Sequence, residues 1–271
     1  MAESWTLKLD RAEKHLVELA GRIDVVDVHS GLYRVEGPEK AEGYEDVWVF
    51  RLHVTPDPDP ELAVVVGEVL HNTRAALDHI AVALVPRGRR YSASFPIAMA
   101  DPWKDTATYA CVHDDPRQRF ESAVRGAPKD AVALIKEAQP YASTAGPSEL
   151  HPLGLLSSLE NADKHRALSV VTWGLKDVSA VILVDGLPMP PMPQKPGLYD
   201  DGAVIASFRY VGAEPLVQRK VEVAYGGTAL VSLHIVGRQK TYLDVAELGT
   251  IVGYARLVVS ELEPYVEPRR R

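Results

Sequence analysis

Several features are scarce or missing in this sequence of 271 residues. The single cysteine, Cys111, excludes a disulfide scaffold and a thiolate zinc cluster, and it fits a reducing compartment. No apolar run reaches the roughly 18 residues that a membrane-spanning helix needs. The N-terminus also lacks the basic start and apolar stretch of a signal peptide. We therefore expect a soluble, cytoplasmic protein with no membrane partner.

The common signatures of phosphate- and cofactor-binding enzymes are also missing. The sequence has no Gly-x-x-x-x-Gly-Lys loop, no Gly-x-Gly-x-x-Gly turn, no His-Glu-x-x-His helix and no Gly-x-Ser-x-Gly elbow. It therefore predicts no cofactor. The 30 lysines and arginines are outnumbered by 37 aspartates and glutamates, which gives a net charge of −7. This balance excludes a broadly basic surface that coats nucleic acid, although a local basic groove is compatible with it.

Helical and extended patterns occupy different parts of the chain. Apolar residues at three- and four-residue steps predict helices up to about Arg22 and over residues 61–85, 128–138, 152–166 and 243–263. Extended runs at residues 23–36 and 44–54 predict an antiparallel hairpin, and further strands are expected at 168–173, 178–184, 204–210, 217–225 and 230–236. The proline-rich segment 187–193 is expected to be an exposed loop.

These patterns predict an α+β fold in a single domain over residues 1–271. Its helix-rich part is residues 1–167, its strand-rich part is 168–240, and a C-terminal helix follows at 243–264. We expect a helical layer and a largely antiparallel sheet, which the N-terminal hairpin and the C-terminal strands form together.

The helix predicted over residues 61–85 is polar only in its middle. At 100° per residue, six polar side chains fall within an arc of about 160°, namely Glu68, His71, Asn72, Arg74, Asp78 and His79. Both ends of this helix are apolar nearly all round, which is typical of a buried helix whose polar groups need partners. One interpretation is an internal hydrogen-bond network, in which Arg74 and Asp78, four residues apart, pair with each other.

The helix predicted over residues 152–166 also carries polar groups. Asp163 lies at the edge of the apolar stripe, where a carboxylate needs a buried donor such as Arg74 or a histidine of the other helix. Asn161 and His165 share a different face, while Glu160 and Lys164 have the spacing of a surface ion pair.

Two strings resemble those of an uncharacterised bacterial protein family. They are Gly-Glu-Val-Leu-His-Asn-Thr-Arg-Ala-Ala-Leu-Asp-His at residues 67–79 and Leu-Glu-Asn-Ala-Asp-Lys-His-Arg at residues 159–166. The resemblance runs from the first helix to the last strands and includes the Phe95-Pro96-Ile97 and Gln139-Pro140-Tyr141 strings. No activity is established for this family. The resemblance therefore supports these residues as site candidates but implies no reaction for them.

Arg74 and His79 also resemble, by their spacing on a helix, the arginine–histidine pair of the HEPN superfamily of ribonucleases. Arg22 and His29 also fall within the three spacings allowed to such a pair, so the mid-helix position beside Asn72 distinguishes the first pair. The resemblance implies metal-independent RNA cleavage, in which histidine assists attack by the 2′-hydroxyl and arginine stabilises the phosphate charge. Such sites are commonly assembled across a dimer, which implies RNA and a second copy of the chain as partners.

We therefore predict a ribonuclease-like site with His79 as the base and Arg74 as the phosphate ligand. The other predicted site residues are His71, Asn72, Asp78, Asp163 and His165, of which Asn72, Asp78 and Asp163 orient the pair.

Two alternatives stay open. Glu68 and His71 have the Glu-x-x-His spacing of helical metal sites, to which His79, Asp163 and His165 could add ligands, although a second such motif is missing.

The other alternative is a non-catalytic protein, whose sheet and proline-rich segment bind a partner while the polar network only holds the helices together. The arrangement of the side chains distinguishes the three hypotheses. A cleft with a basic rim favours RNA cleavage, ligands that converge within about 2.0–2.2 Å of one point favour a metal, and a closed, satisfied core favours the scaffold.

Overall fold

The structure is a computed structural model that describes residues 3–24, 33–54, 60–104, 115–166, 171–194, 197–233 and 244–266. At residues 60, 162–166, 171–173, 198 and 228–233 it describes the backbone alone. The fold is α+β, as predicted, with antiparallel sheets and separate helices. The chain divides into two compact units, one of Met1–Leu19, Ala63–Leu168 and Ala246–Arg271 and the other of Ala20–Leu62 and Ser169–Val245.

The first unit is helical. It contains most of α1 (Ser4–Asp24) and α2 (Pro60–Leu84), together with α3 (Pro116–Ala123), α4 (Lys129–Glu137), α5 (Pro152–Arg166) and α6 (Val245–Leu262). Short 3₁₀ helices occur at Arg87–Ser92, Pro140–Ala142, Ser148–Leu150 and Glu263–Tyr265. Each long helix buries one apolar stripe, so the hydrophobic effect assembles them around a common core.

Polar contacts fix how α1 packs in this unit. The indole nitrogen of Trp5 donates to a carboxylate oxygen of Glu263 at 2.7 Å. Arg256 of α6 donates from Nη2 to Asp10 at 2.8 Å and from Nε to Glu13 at 2.7 Å. Because the two acids lie three residues apart on one face of α1, a single guanidinium spans them and joins α1 to α6.

The second unit contains two antiparallel sheets. In the first, β2 (Val47–Val54) lies between β1 (Tyr33–Lys40) and β6 (Val204–Arg209). In the second, β3 (Val171–Val184) pairs on one edge with β4 (Leu187–Met189) and β5 (Leu198–Tyr199), and along the other edge with β7 (Val221–Leu233). Phe50 and Phe208 stack in the core of the first sheet with 6.1 Å between their ring centroids.

The predicted hairpin and its pairing with a C-terminal strand are confirmed, but the strand boundaries differ. The described parts of the strands expected at 168–173 and 178–184 are one strand, β3, and those of the strands at 217–225 and 230–236 correspond mainly to β7. Residues 168–170 and 234–236 lie outside the described part of the chain. A register shift between Lys176 and Ser179 lets β3 continue through the polar stretch that suggested a break. The proline-rich segment also contains the short edge strand β4, which tolerates proline because an edge has unpaired positions.

Two helical boundaries also differ from the prediction. The first helix continues past Arg22 to Asp24, and α3 is not among the predicted helices. Asp115 caps α3, since its side chain accepts from the backbone N–H of Arg117 at 2.9 Å, and Pro116 occupies the first helical position. None of the helices in the described part of the chain is long and apolar enough to cross a membrane.

Candidate functional site

The polar middle of α2 is only partly buried, which corrects the expectation of a helix enclosed on all sides. Asn72 and Thr73 are buried, at 1% and 0% exposed, whereas Glu68 and His71 are exposed. Near the start of the helix, Val64 is 65% exposed. Helix α2 therefore has one solvent-facing side, and its polar residues meet different surroundings according to their position around the axis.

Arg74 and Asp78 pair with each other, as their spacing predicts. The Nε atom of Arg74 donates to Asp78 Oδ2 at 3.1 Å and Nη2 donates to Oδ1 at 2.9 Å, which is a bidentate ion pair. Both side chains also bind the backbone of Phe95. Arg74 Nη2 donates to the carbonyl oxygen of Phe95 at 2.7 Å, and the N–H of Phe95 donates to Asp78 Oδ1 at 2.8 Å.

Gln139 holds the segment that contains Phe95 at a second point, three residues further along the chain at Ala98. Its Oε1 accepts from the N–H of Ala98 at 2.8 Å, and its Nε2 donates to the carbonyl oxygen of Ile135 at 2.8 Å. Gln139 is fully buried, so each of these hydrogen bonds satisfies a group that has no access to water. Residues 93–98, which we call the strap, are thus held at Phe95 by α2 and at Ala98 by Gln139.

A cavity of about 580 Å³ lies beside the strap. Its charged lining consists of Arg74, Asp78, Arg119 and Glu160, two of each sign. Glu160 is 7% exposed, and its Oε2 lies 3.9 Å from Arg74 Nε. Glu160 is therefore buried and not on the surface, because α5 turns this carboxylate toward the guanidinium of α2. The side chain of its suggested partner, Lys164, lies outside the described residues. We call this space the strap cavity.

Helix α5, which supplies Glu160 to the strap cavity, is capped by a histidine. The Nδ1 atom of His151 accepts from the N–H of Leu153 at 3.2 Å, and the imidazole packs edge-on against Tyr254 with 4.8 Å between centroids. Burial lowers the pKa of His151 below its ordinary value of 6.5. The neutral ring that burial favours is also the form able to accept this capping hydrogen bond.

Asn72 connects α2 to α1. Its Oδ1 accepts from Lys8 Nζ at 3.2 Å, and its Nδ2 donates to the carbonyl oxygen of Glu68 at 2.7 Å and to Glu68 Oε2 at 3.1 Å. The hydroxyl of Thr73 donates a hydrogen bond to the carbonyl oxygen of Val69 at 2.7 Å. The two buried polar residues of α2 are therefore satisfied by neighbouring groups of the same unit.

His79 lies in a different place from the strap cavity. It lines a groove of about 710 Å³, which we call the α1 groove because its other lining residues all belong to α1. These are Ser4, Leu7, Lys8, Asp10, Arg11, Lys14, His15 and Glu18. His79 is half-buried, and within the described part of the chain its imidazole forms no hydrogen bond, with Nδ1 fully enclosed.

The α1 groove has a basic side. Lys8, Arg11 and Lys14 line it, and no ion pair is formed by Arg11 or Lys14 with any residue that the structure describes. Its two acids have partners of their own, since Asp10 binds Arg256 at 2.8 Å and Glu18 lies 3.4 Å from His15, which also lines the groove. The positive charge of Arg11 and Lys14 is therefore available to an anionic ligand.

Arg74 and His79 are not brought together within one chain. They are five positions apart on the helix, which corresponds to about 140° around the axis, and each lines its own cavity. His71 is exposed and lines neither of these two cavities. The side chains of Asp163 and His165 lie outside the described residues. Among the side chains that are described, no group of three His, Cys, Asp or Glu residues could hold a metal ion.

Some of the groups that hold the strap or line the strap cavity were not predicted from the sequence. Gln139, Glu160 and Arg119 were not among the predicted site residues, and the contact to Phe95 uses only backbone atoms. A signal for three of these positions was present. Glu160 lies in the string at residues 159–166, and Phe95-Pro96-Ile97 and Gln139-Pro140-Tyr141 also carry the family resemblance. The structure places these last two strings at the two points where the strap is held.

The chain was also compared with proteins that are already known. Neither the protein-family models, nor the curated proteins, nor the solved structures contain a match to it.

Proposed function

We propose that this protein binds RNA in the α1 groove and cleaves it without a metal, with His79 as the general base. The observation that carries the proposal is the setting of His79, a half-buried imidazole without a hydrogen bond among the described residues, in a groove lined by Lys8, Arg11 and Lys14. Histidine is the side chain that most often acts as a general base in enzymes.

In this reaction His79 takes the proton of a ribose 2′-hydroxyl, and the 2′-oxygen attacks the neighbouring phosphorus. The bond from phosphorus to the 5′-oxygen breaks, a 2′,3′-cyclic phosphate forms, and the leaving 5′-oxygen takes a proton from water. Lys8 and Arg11 stabilise the negative charge that gathers on the phosphoryl oxygens. They replace Arg74 in this role, because Arg74 lines the strap cavity.

Cleavage of a fluorescent single-stranded RNA in the presence of EDTA tests the proposal. His79→Ala should lower the rate by about 100- to 10,000-fold, the usual contribution of a general base. His53→Ala is the matched control, since His53 is paired with Glu36 at 2.9 Å in the other unit. Unchanged cleavage by folded His79→Ala, or loss of wild-type cleavage on adding EDTA, would contradict the proposal.

The second candidate function is a scaffold role for the polar residues of α2 that hold the strap in place. Arg74, Asp78 and Gln139 all bind backbone groups of the strap. We therefore assign Arg74 and Asp78 to stability and His79 to chemistry. The homodimer stays a prediction, which light scattering of the purified protein tests directly.

A further inference from the structure

A basic turn with an exposed aromatic side chain follows α2. The 3₁₀ helix Arg87–Ser92 contains Arg87, Arg89, Arg90 and Tyr91, which we call the arginine turn. Tyr91 is 88% exposed, and Arg87 and Arg89 are exposed beside it. The sequence has no aspartate or glutamate from residue 79 to residue 100. None of the three arginines forms an ion pair with a described residue, so no carboxylate in the described part of the chain neutralises their charge.

Both ends of the arginine turn are anchored. At its start Pro86 packs against Gly126, where φ is +92° and a Cβ atom would lie 2.9 Å from Pro86 Cδ. At its end the N–H of Ser94 donates to the carbonyl oxygen of Ala123 at 3.3 Å, and the next residue, Phe95, is held by Arg74 and Asp78. The turn therefore projects from a fixed base.

The turn also has internal hydrogen bonds. The N–H of Arg89 donates to the carbonyl oxygen of Pro86 at 2.8 Å, and the Ser92 hydroxyl donates to the carbonyl oxygen of Arg89 at 3.1 Å. These bonds order the backbone before any ligand arrives, which reduces the entropy lost on binding. An ordered backbone that leaves a tyrosine almost wholly in water presents a flat aromatic face to a partner.

We propose that the arginine turn binds single-stranded RNA, with a base stacked on Tyr91 and phosphates bound by Arg87 and Arg89. Aromatic rings and guanidinium groups together are what a single strand requires, because every base has a stacking face and every phosphate a charge. This inference rests on the proposed function and extends it. Leu84, where α2 ends, lies about 8 Å along the helix axis from His79, and the arginine turn begins three residues later in the chain.

The test measures binding of a fluorescein-labelled DNA 12-mer of thymidines, which lacks the 2′-hydroxyl and cannot be cleaved by the proposed route. We expect Tyr91→Ala to weaken binding about tenfold and Tyr91→Trp to retain it. Tyr44→Ala, at another exposed tyrosine in the other unit, is the matched control and should bind like the wild type. Arg89→Gln should lower the slope of log affinity against log salt concentration by about 0.7.

Four results would overturn the inference: no binding by the wild type, equal binding by Tyr91→Ala, an equal loss in Tyr44→Ala, or tighter binding of a duplex of the same length. Binding to phosphatidylserine vesicles without binding to the oligonucleotide would also overturn it and assign the turn to a membrane surface. Failure of the proposed function has a different signature. In that case RNA stays intact with every variant, while Tyr91-dependent binding of the DNA 12-mer persists.

Discussion

Arg74 and Asp78 bind the two backbone polar groups of a single residue, Phe95. The guanidinium donates to its carbonyl oxygen at 2.7 Å, and the carboxylate accepts from its N–H at 2.8 Å. Phe95 itself is completely buried. Because the ion pair orients both partners, each side chain supports the contact that the other makes. This arrangement explains why a charged pair on a helix serves to hold a segment of chain 17 to 21 residues away.

The first prediction concerns this contact. Asp78→Ala removes the acceptor for Phe95 N–H and the nearer of the two carboxylates that face the Arg74 guanidinium, so the free energy of unfolding should fall by about 2–3 kcal/mol. Urea denaturation measures the loss, and hydrogen exchange should become faster at the strap. Glu121→Ala breaks the exposed pair with Arg117 at 2.8 Å and should leave stability almost unchanged. Equal stability of the two variants would show that the strap does not depend on Asp78.

The second prediction concerns pH. Burial lowers the pKa of His151, so at pH values between its folded and unfolded pKa the unfolded chain binds more protons than the folded one. The contribution of His151 to stability should therefore be complete above its ordinary pKa of 6.5 and be lost as the pH falls through the lowered pKa. Urea denaturation between about pH 5 and pH 8 measures this loss.

His151→Asn is the control for the pH series. Asparagine also caps helices but does not titrate in this range, so the variant should lose less stability on acidification than the wild type. An NMR titration of the His151 ring provides an independent measurement. A pKa at or above 6.5 would contradict the prediction, as would identical pH dependence of the two proteins.

The third prediction compares two helical glycines. At Gly154 in α5 a Cβ atom would lie 2.2 Å from the carbonyl oxygen of Ser148 and 3.0 Å from Met99 Cε. Gly154→Ala should therefore destabilise the protein by about 1–3 kcal/mol, because the backbone must move. At Gly249 in α6 a Cβ atom meets nothing within 4 Å, so Gly249→Ala should stabilise by about 0.5–1 kcal/mol.

Thermal or urea unfolding of both glycine variants decides this comparison. The methyl group of Met99 lies next to Gly154, and Met99 also lines the strap cavity. A displaced α5 should therefore shift the NMR signal of the Met99 methyl group. Stabilisation by Gly154→Ala would mean that α5 and the Ser148–Leu150 turn do not pack as closely as the structure places them.

Local patterns predicted much of the fold. The long helices follow from apolar residues at three- and four-residue steps, and the pairing of β1 with β2 follows from two extended runs around a turn. Strand ends were harder to predict, because the register shift at Lys176 continues β3 where polar residues indicate a break. Whether β4 forms at a proline-rich segment depends on a free edge of β3, which the sequence alone does not reveal.

The order of amino acids by itself determined the pairing of Arg74 with Asp78, since a helix brings residues four apart onto one face through its own backbone hydrogen bonds. It likewise fixed the wide angle between Arg74 and His79 around α2. Only the tertiary structure decided what each of them meets, namely the strap for Arg74 and the basic side of α1 for His79. The reason is physical. Hydrogen bonds between nearby residues set the geometry of a helix, whereas packing of the core determines which distant segment contacts a half-buried side chain.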